Sequence, residues 1–436
     1  LVSAIGLVAI TVTIAAADAP TQSTTSSLDP SDAVSTTSTV EGPGYKVGES
    51  NVLHPVVGVE TGVVSNVFYR DTNPISSALL RIIAEMGIGT LSAQRLTALD
   101  GDSNAEARTN PGSLEYRADV HLNYDIFLTD NKNVTAQDGL GAGVLLRGVI
   151  NPQRPWSIGI QDDYNRLLRA TNFESSVDTN RDVNTFRIGA QYKPVARTLS
   201  GTLFYQNTID VFEQNNQAFA NRFLNSVGLR VNWQWLPKTR IYTEVSESFV
   251  TGLGNSSTKV NAFPLTAYVG LQSLITAKTG ISTRIGYTNG FYTSGPSYSA
   301  IMFGTQLGYR YSPLGGVSVG YNYQHEDSIN ANFYRDHSFT AALSQQLIPL
   351  QVGISANLRF RQYEGITAVM GPGTRDDTLL SISAGVGYNF RNWLAMTADY
   401  TLSAVSTDYR YVTPDGFMGN PSYVRHQLMA GVRAAF

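Results

Sequence analysis

The chain is 436 residues long, has no cysteine, and sets 31 Lys and Arg against 34 Asp and Glu, a net charge of −3. Absence of thiols excludes disulfides, thiolate metal sites and a lipidated N-terminal cysteine, and the slightly acidic balance argues against a nucleic-acid partner, which needs a basic face. Mean hydropathy is −0.11 and no apolar run after residue 16 approaches the ~20 residues of a membrane helix, an average that also arises when apolar and polar positions alternate through a membrane barrel.

Residues 1–16, LVSAIGLVAITVTIAA, are apolar and lead into small residues. Ala17-Asp18-Ala19 matches an A-x-A cleavage site, with Ala15-Ala16-Ala17 as a second candidate. Residues 1–19 therefore read as a signal peptide whose start is missing, since Leu1 is preceded by neither Met nor a basic region. Residues 20–54 follow, rich in Ser and Thr with Pro20, Pro30 and Pro43. Such a stretch buries too little apolar surface to order itself, so a disordered periplasmic tail is expected there.

From residue 55 onward the period is two. Leu114, Tyr116, Ala118, Val120, Leu122, Tyr124 and Ile126 alternate with Glu115, Arg117, Asp119, His121, Asn123 and Asp125. Successive side chains of an extended strand face opposite sides, so this segment has one apolar and one charged face. The same alternation, bounded by turn residues, predicts strands over 55–68, 76–90, 113–128, 138–149, 155–165, 182–193, 198–210, 222–236 and 239–250. It continues over 262–275, 278–290, 298–311, 315–325, 334–347, 350–363, 376–389, 393–403 and 422–436. Most run ten residues or more, the length that crosses a bilayer at a tilt, and eighteen is an even number. The fold class is therefore all-β: a transmembrane antiparallel barrel of about eighteen strands, spanning 55–436, in outer-membrane lipid.

The connections between these strands alternate in length. Pro194–Arg197, Leu236–Thr239, Ser312–Gly315, Ile348-Pro349 and Arg391-Asn392 are short, whereas 166–181, 211–221, 251–261, 364–375 and 404–421 are long. Short periplasmic turns and long outer loops produce that order. The exception is 91–112, long and polar on the short side. All four tryptophans, Trp156, Trp233, Trp235 and Trp393, lie beside predicted short turns, where an indole can keep one edge wet, and read as an interface girdle. The terminal strand ends in Phe436 with Gly431 five residues before it, similar to the C-terminal signal by which barrels are recognised by the assembly machinery. Ala434 and Met429 depart from the usual bulky and polar residues of that pattern.

An eighteen-stranded lumen is too wide for its own side chains to fill, so it holds water or a plug. Alternation places Arg117, Asp119, Arg187, Arg230, Arg284, Arg310, Arg359, Arg361, Arg425 and Arg433 on its wall, with Glu60, Glu85, Asp125 and Glu244 among the acids. Charged rings set pore selectivity, and a basic excess favours anions; the alternative is that these charges pair with one another and merely solvate the wall. Tyr292, Tyr298, Tyr334, Tyr409 and Tyr411 suit an outer girdle better than a sugar-stacking surface. His325-Glu326-Asp327 and Asp336-His337 bracket one outer loop without a third group, so catalysis is not expected. Gly139-x-Gly141-x-Gly143 sits in a strand with no helix behind it, which fails the phosphate-loop pattern; neither cofactor nor metal is expected.

Val64-Ser65-Asn66-Val67-Phe68-Tyr69-Arg70, followed by Asn73-Pro74, resembles the opening hairpin of porin-2-like outer-membrane barrels of the exopolysaccharide-export type. The resemblance implies a barrel that passes a secreted polysaccharide with a periplasmic export protein as partner. A general diffusion porin with loop 166–181 folded inside the barrel, and a non-transporting adhesive or structural barrel, are the other two readings.

Overall fold

The computed structural model describes residues 44–48, 51–90, 113–152, 155–170, 179–194, 198–255, 257–329, 331–366, 374–412 and 418–436. The expected signal peptide, most of the expected tail and the unusual connection 91–112 lie outside them. The strands are β1 (Tyr45–Val47), β2 (Asn51–Val64), β3 (Ser77–Gly89), β4 (Leu114–Leu128), β5 (Gly139–Ile150), β6 (Trp156–Ala170) and β7 (Thr179–Tyr192). Then come β8 (Leu199–Phe212), β9 (Arg222–Leu236), β10 (Thr239–Gly252), β11 (Leu265–Leu274), β12 (Thr279–Asn289), β13 (Ser299–Ser312) and β14 (Gly315–Asp327). The last are β15 (Phe333–Leu347), β16 (Leu350–Glu364), β17 (Thr374–Arg391), β18 (Leu394–Thr407), the short β19 (Tyr411–Val412) and β20 (Met418–Gly419), and β21 (Tyr423–Ala435).

Strands β2 to β18 and β21 pair antiparallel with their sequence neighbours, and β2 pairs with β21, so eighteen strands close into a ring. Closure leaves no edge whose N–H and C=O groups lack partners, the condition lipid imposes. Each of the eighteen predicted segments coincides with one ring strand.

Side-chain exposure is inverted relative to a soluble protein. Along β21, Val424, Leu428 and Val432 are exposed, while Arg425, Gln427 and Arg433 are buried. The apolar face is outside and the polar face inside, as lipid around a wet lumen requires. The outer band ends at similar heights on adjacent strands, at Asn184, Asn207 and Asn225. Just inside that limit, tyrosine hydroxyls bond to polar groups of the neighbouring strand: Tyr205 donates to Asn225 at 2.6 Å, while Tyr287 meets Ser299 at 2.8 Å and Tyr321 meets His337 at 2.9 Å. These phenols lie toward the long-loop end of the wall, whereas Trp156, Trp233, Trp235 and Trp393 stand exposed at or beside its short turns. The architecture is that of a transmembrane barrel of the bacterial outer membrane.

Several boundaries differ from the sequence reading. The chain is already strand at Asn51, and Tyr45–Val47 folds back on it, so residues 45–47 and 51–54 are wall rather than tail. Strand β2 stops at Val64 instead of 68, because Ser65 onward turns into the mouth. Strands β6 and β7 extend to Ala170 and back to Thr179. Above the membrane both strand faces meet polar surroundings, so period-two hydropathy vanishes while the ladder persists; Tyr164 there donates to Asp182 at 2.9 Å. That leaves only 171–178 as the connection once considered for an inward loop, and those residues are outside the described ones.

Candidate functional site: the lumen and its outer mouth

Ion pairs are a recurrent feature of the inner wall. Arg81 grips Asp125 at 2.7 Å, Arg117 grips Asp119 at 2.7 Å, Arg433 reaches Glu60 at 2.7 Å, and Arg375 reaches Asp377 at 2.6 Å. Asp336 holds Arg361 at 2.9 Å and Arg359 at 3.6 Å. Each pair joins neighbouring strands or successive same-face positions, the spacing at which opposite charges on one sheet face meet. On the third ring strand, β4, Asp119 and Asp125 are both answered by arginine.

A second group is arranged differently. Arg187, Arg230 and Arg284 lie on β7, β9 and β12, and all three act electrostatically on Glu244 of β10, which Arg230 approaches to 3.9 Å. Their guanidiniums sit against aromatic rings: Arg187 over Phe204 at 4.5 Å, Arg230 over Tyr242 at 4.9 Å and Arg284 over Tyr268 at 5.8 Å. Three cations around one carboxylate leave this sector of the wall positive, and the ring faces orient the cations. Arg425 is buried over Tyr69 at 4.7 Å, while Arg310, at the short-turn end of β13, is half-buried.

The mouth is narrowed by loops that turn inward. The first outer loop, Ser65–Ser76, carries the Val64–Arg70 motif. Asn66 clamps it: its Nδ2 donates to Arg70 O at 2.7 Å and to Val424 O at 3.1 Å, and its Oδ1 accepts from Arg70 N at 3.0 Å. Val67 packs with Val64, Leu79, Phe127, Val134 and Met429. Tyr69 packs with Leu379, Val405 and Tyr423, its ring 5.1 Å from that of Tyr423. Tyr69 holds φ at 52°, a left-handed conformation that costs about 1–2 kcal/mol for a non-glycine residue. Burial of its ring against three inner-wall side chains is of comparable or larger size. A one-turn helix α1 (Lys132–Thr135), capped by Asn131, brings the fully buried Val134 to the same patch.

The opposite side of the mouth is ionic. Asp210 is completely buried between Arg181 at 2.5 Å and Arg222 at 3.0 Å. Arg222 also reaches Asp327 at 2.8 Å, and Lys259 reaches Asp327 at 3.0 Å. Tyr292 donates to Asp327 at 3.2 Å. Burial and the nearby Asp327 carboxylate push the Tyr292 phenol well above its ordinary range, so it remains a donor.

Several aromatic and polar residues take places the sequence reading did not give them. Tyr298, Tyr334 and Tyr409 are buried within the mouth rather than exposed in a girdle, and Tyr292 packs beside Leu224, Val250 and Ala262. Asp336 faces inward to Arg361, while the adjacent His337 lies on the opposite strand face against Tyr321. His325 stacks on Tyr298, and Asp327 is engaged in ion pairs. Asp327 and Asp336 are thus taken up by ion pairs, while His325 and His337 both pack on the ring of Tyr323. Asp210, Arg181 and Arg222, absent from the sequence-level candidates, are among the most deeply buried charges of the described residues; an Arg–Asp–Arg set on three adjacent strands could have been found by aligning registers.

No protein-family model matches the chain, and no curated protein matches it. Solved structures are similar at low identity. Pseudomonas aeruginosa OpdK with vanillate is 7% identical, covering 88% of this chain and 99% of that one, with a TM-score of 0.46. Acinetobacter baumannii OccAB4 is 10% identical, with 88% and 98% covered and a TM-score of 0.45. Pseudomonas aeruginosa OccK2 (OpdF) in complex with glucuronate is 9% identical, with 88% and 98% covered and a TM-score of 0.45. At such values the similarity adds nothing to the assignment, which rests on the closed barrel, its apolar exterior and its polar interior.

Proposed function

We propose that the barrel is a passive channel for small polar solutes, with an arginine-rich sector that favours anions. The observation that carries this reading is the inner face of β15. Ser338 donates inward to Asn357, so period two places Thr340, Ala342 and Ser344 on the same face. All three are exposed, which means that water reaches the inner wall at that depth. Small side chains opposite a positive sector leave a wet, electrostatically biased path. Arg117, Asp119, Arg187, Arg230, Arg284, Arg310, Arg359, Arg361, Arg425 and Arg433 are proposed to border it, with Arg187, Arg230 and Arg284 setting its sign.

Single-channel recording in a planar bilayer tests this. Steady steps in simple salt are expected, with a reversal potential on the anion side in a salt gradient. Arg187→Gln combined with Arg230→Gln should lower the anion-to-cation permeability ratio about twofold or more. Correctly folded protein that passes no current would overturn the channel and leave a non-transporting barrel.

Export of a secreted polysaccharide, with a periplasmic partner, is the second reading. It is supported by the Val64–Arg70 resemblance and by the aromatic rings that the motif's loop brings into the mouth, Tyr69 beside Tyr423. Aromatic faces suit sugar rings. Under this reading a soluble polysaccharide blocks the current while monosaccharides do not; under the small-solute reading monosaccharides pass and the polymer leaves the current unchanged.

A further inference from the structure

The tip of the β14–β15 hairpin is short, yet it is among the most buried parts of the mouth. Ser328, Ile329, Ala331 and Asn332 are 0%, 4%, 4% and 2% exposed. A connection rising from a barrel into water would normally be exposed, so this one is held down. Ile329 packs with Phe212 and Ala220, which belong to the top of β8 and the 3-10 helix Asn215–Ala220 behind it. Asn332 Nδ2 donates to Ser294 O and Pro296 O, each at 2.9 Å, tying the tip to the β12–β13 loop.

The restraint from the far side is electrostatic. Asp327, the last residue of β14, pairs with Arg222 at the start of β9. Strands β9 and β14 are not neighbours in the ring, so this bond crosses the mouth instead of running along the wall. Lys259 of the β10–β11 loop pairs with the same carboxylate, and its Nζ also donates to Ser328 O and, at 3.1 Å, to Ala331 O. One carboxylate therefore anchors two cations from other parts of the mouth, and one of those cations also holds the backbone of the tip.

We propose that Asp327 is the latch that keeps the β14–β15 tip folded into the mouth, and that the tip so held is a constriction limiting the size of solute admitted. This rests on the channel reading for its second half only. With the carboxylate gone, Arg222 retains Asp210 as a partner, whereas Lys259 loses its ion pair with Asp327. The tip then keeps its apolar contacts, the Asn332 bonds and the Lys259 bonds to Ser328 O and Ala331 O, but that lysine is no longer held by the Asp327 carboxylate, and the inward position becomes one of several accessible states.

The absence of cysteine makes the test direct. In an Ile329→Cys variant the single thiol should be shielded from a charged, membrane-impermeant methanethiosulfonate reagent. Adding Asp327→Ala should raise its labelling rate on the order of tenfold or more, and the same substitution in the unlabelled chain should raise single-channel conductance. Folding is checked by the heat-dependent mobility of the barrel on a detergent gel, and Lys259→Met serves as a second variant, expected to act in the same direction with a smaller rise. Unchanged labelling in both folded variants overturns the latch. Raised labelling with unchanged conductance overturns the constriction. Loss of current from every protein, the parent included, defeats the channel reading, while the labelling ratio still decides the latch.

Discussion

Asp210→Asn is expected to be the most destabilising single substitution in the mouth, lowering barrel stability by about 3–5 kcal/mol, the range for removing one partner from a buried ion pair. Asp210 lies between Arg181 and Arg222, and all three side chains are nearly or wholly inaccessible to water. Asparagine retains the shape and an acceptor, so the loss isolates the charge: two guanidiniums are left close together with one counter-ion removed. Arg222 keeps Asp327, so part of its charge remains answered. Arg181, whose ring contact with Phe212 at 5.5 Å supplies only a modest attraction, is the residue most affected. The measurement is the denaturant midpoint for loss of the compact, heat-modifiable form in lipid or detergent. The control is Arg166→Gln, which breaks a well-formed pair with Glu213 at 2.5 Å on a partly exposed surface. That change should cost about 1 kcal/mol or less. Similar losses from both substitutions would remove the special status of the buried set.

Gly431→Val should impair closure of the barrel itself. Strand β21 meets β2 to complete the ring, with Glu60 opposite Gly431. The Glu60 side chain crosses the glycine to reach Arg433 at 2.7 Å. A Cβ on residue 431 would fall 2.4 Å from Val59 O and 2.5 Å from Glu60 Cγ. One of those atoms is backbone of the partner strand, so relief requires either moving β2 away at the seam or displacing Glu60 and leaving Arg433 with only the distant Glu85 at 3.9 Å. Overpacking of this kind costs about 1–3 kcal/mol, with loss of a buried charge partner adding to it. The expected result is a lower yield of folded barrel and a lower unfolding temperature. Phe436→Ala separates this from the proposed recognition by the assembly machinery. Phe436 is exposed at the barrel rim and stacks on Trp393 at 6.4 Å, so its removal should leave in-vitro refolding nearly unchanged while lowering assembly in cells. If Gly431→Val refolds as well as the parent in vitro, the seam argument fails and only the proposed recognition role remains.

Both substitutions act at places where the sequence was legible in part. Gly431 and Phe436 stood out through their spacing from the terminus, but the reason for glycine lies in Glu60, more than 370 residues away in sequence and reachable only after closure. The resemblance carried by Val64–Arg70 was visible as a string of residues and was read as the end of a strand. In the fold it leaves the wall after Val64 and packs Val67 and Tyr69 onto the inner face. Hydropathy extended the predicted strand to residue 68 because it reports that a side chain leaves water, without reporting whether lipid or another part of the protein receives it. The same ambiguity put Tyr298, Tyr334 and Tyr409 in a girdle.

The sequence by itself determined the all-β class, the strand count and the approximate place of each strand. Those follow from period-two alternation and turn chemistry, which are local and survive without knowledge of partners. Lipid also demands that every strand be paired, so strand existence carries closure with it. What only the tertiary structure decided is how the charges are matched and what narrows the mouth. Asp210 with Arg181 and Arg222 depends on the register of adjacent strands. Asp327 with Arg222 and Lys259 depends on which parts of the ring face each other across the lumen. Coulomb attraction falls with distance in space rather than along the chain, and that distance is set only when eighteen strands have closed.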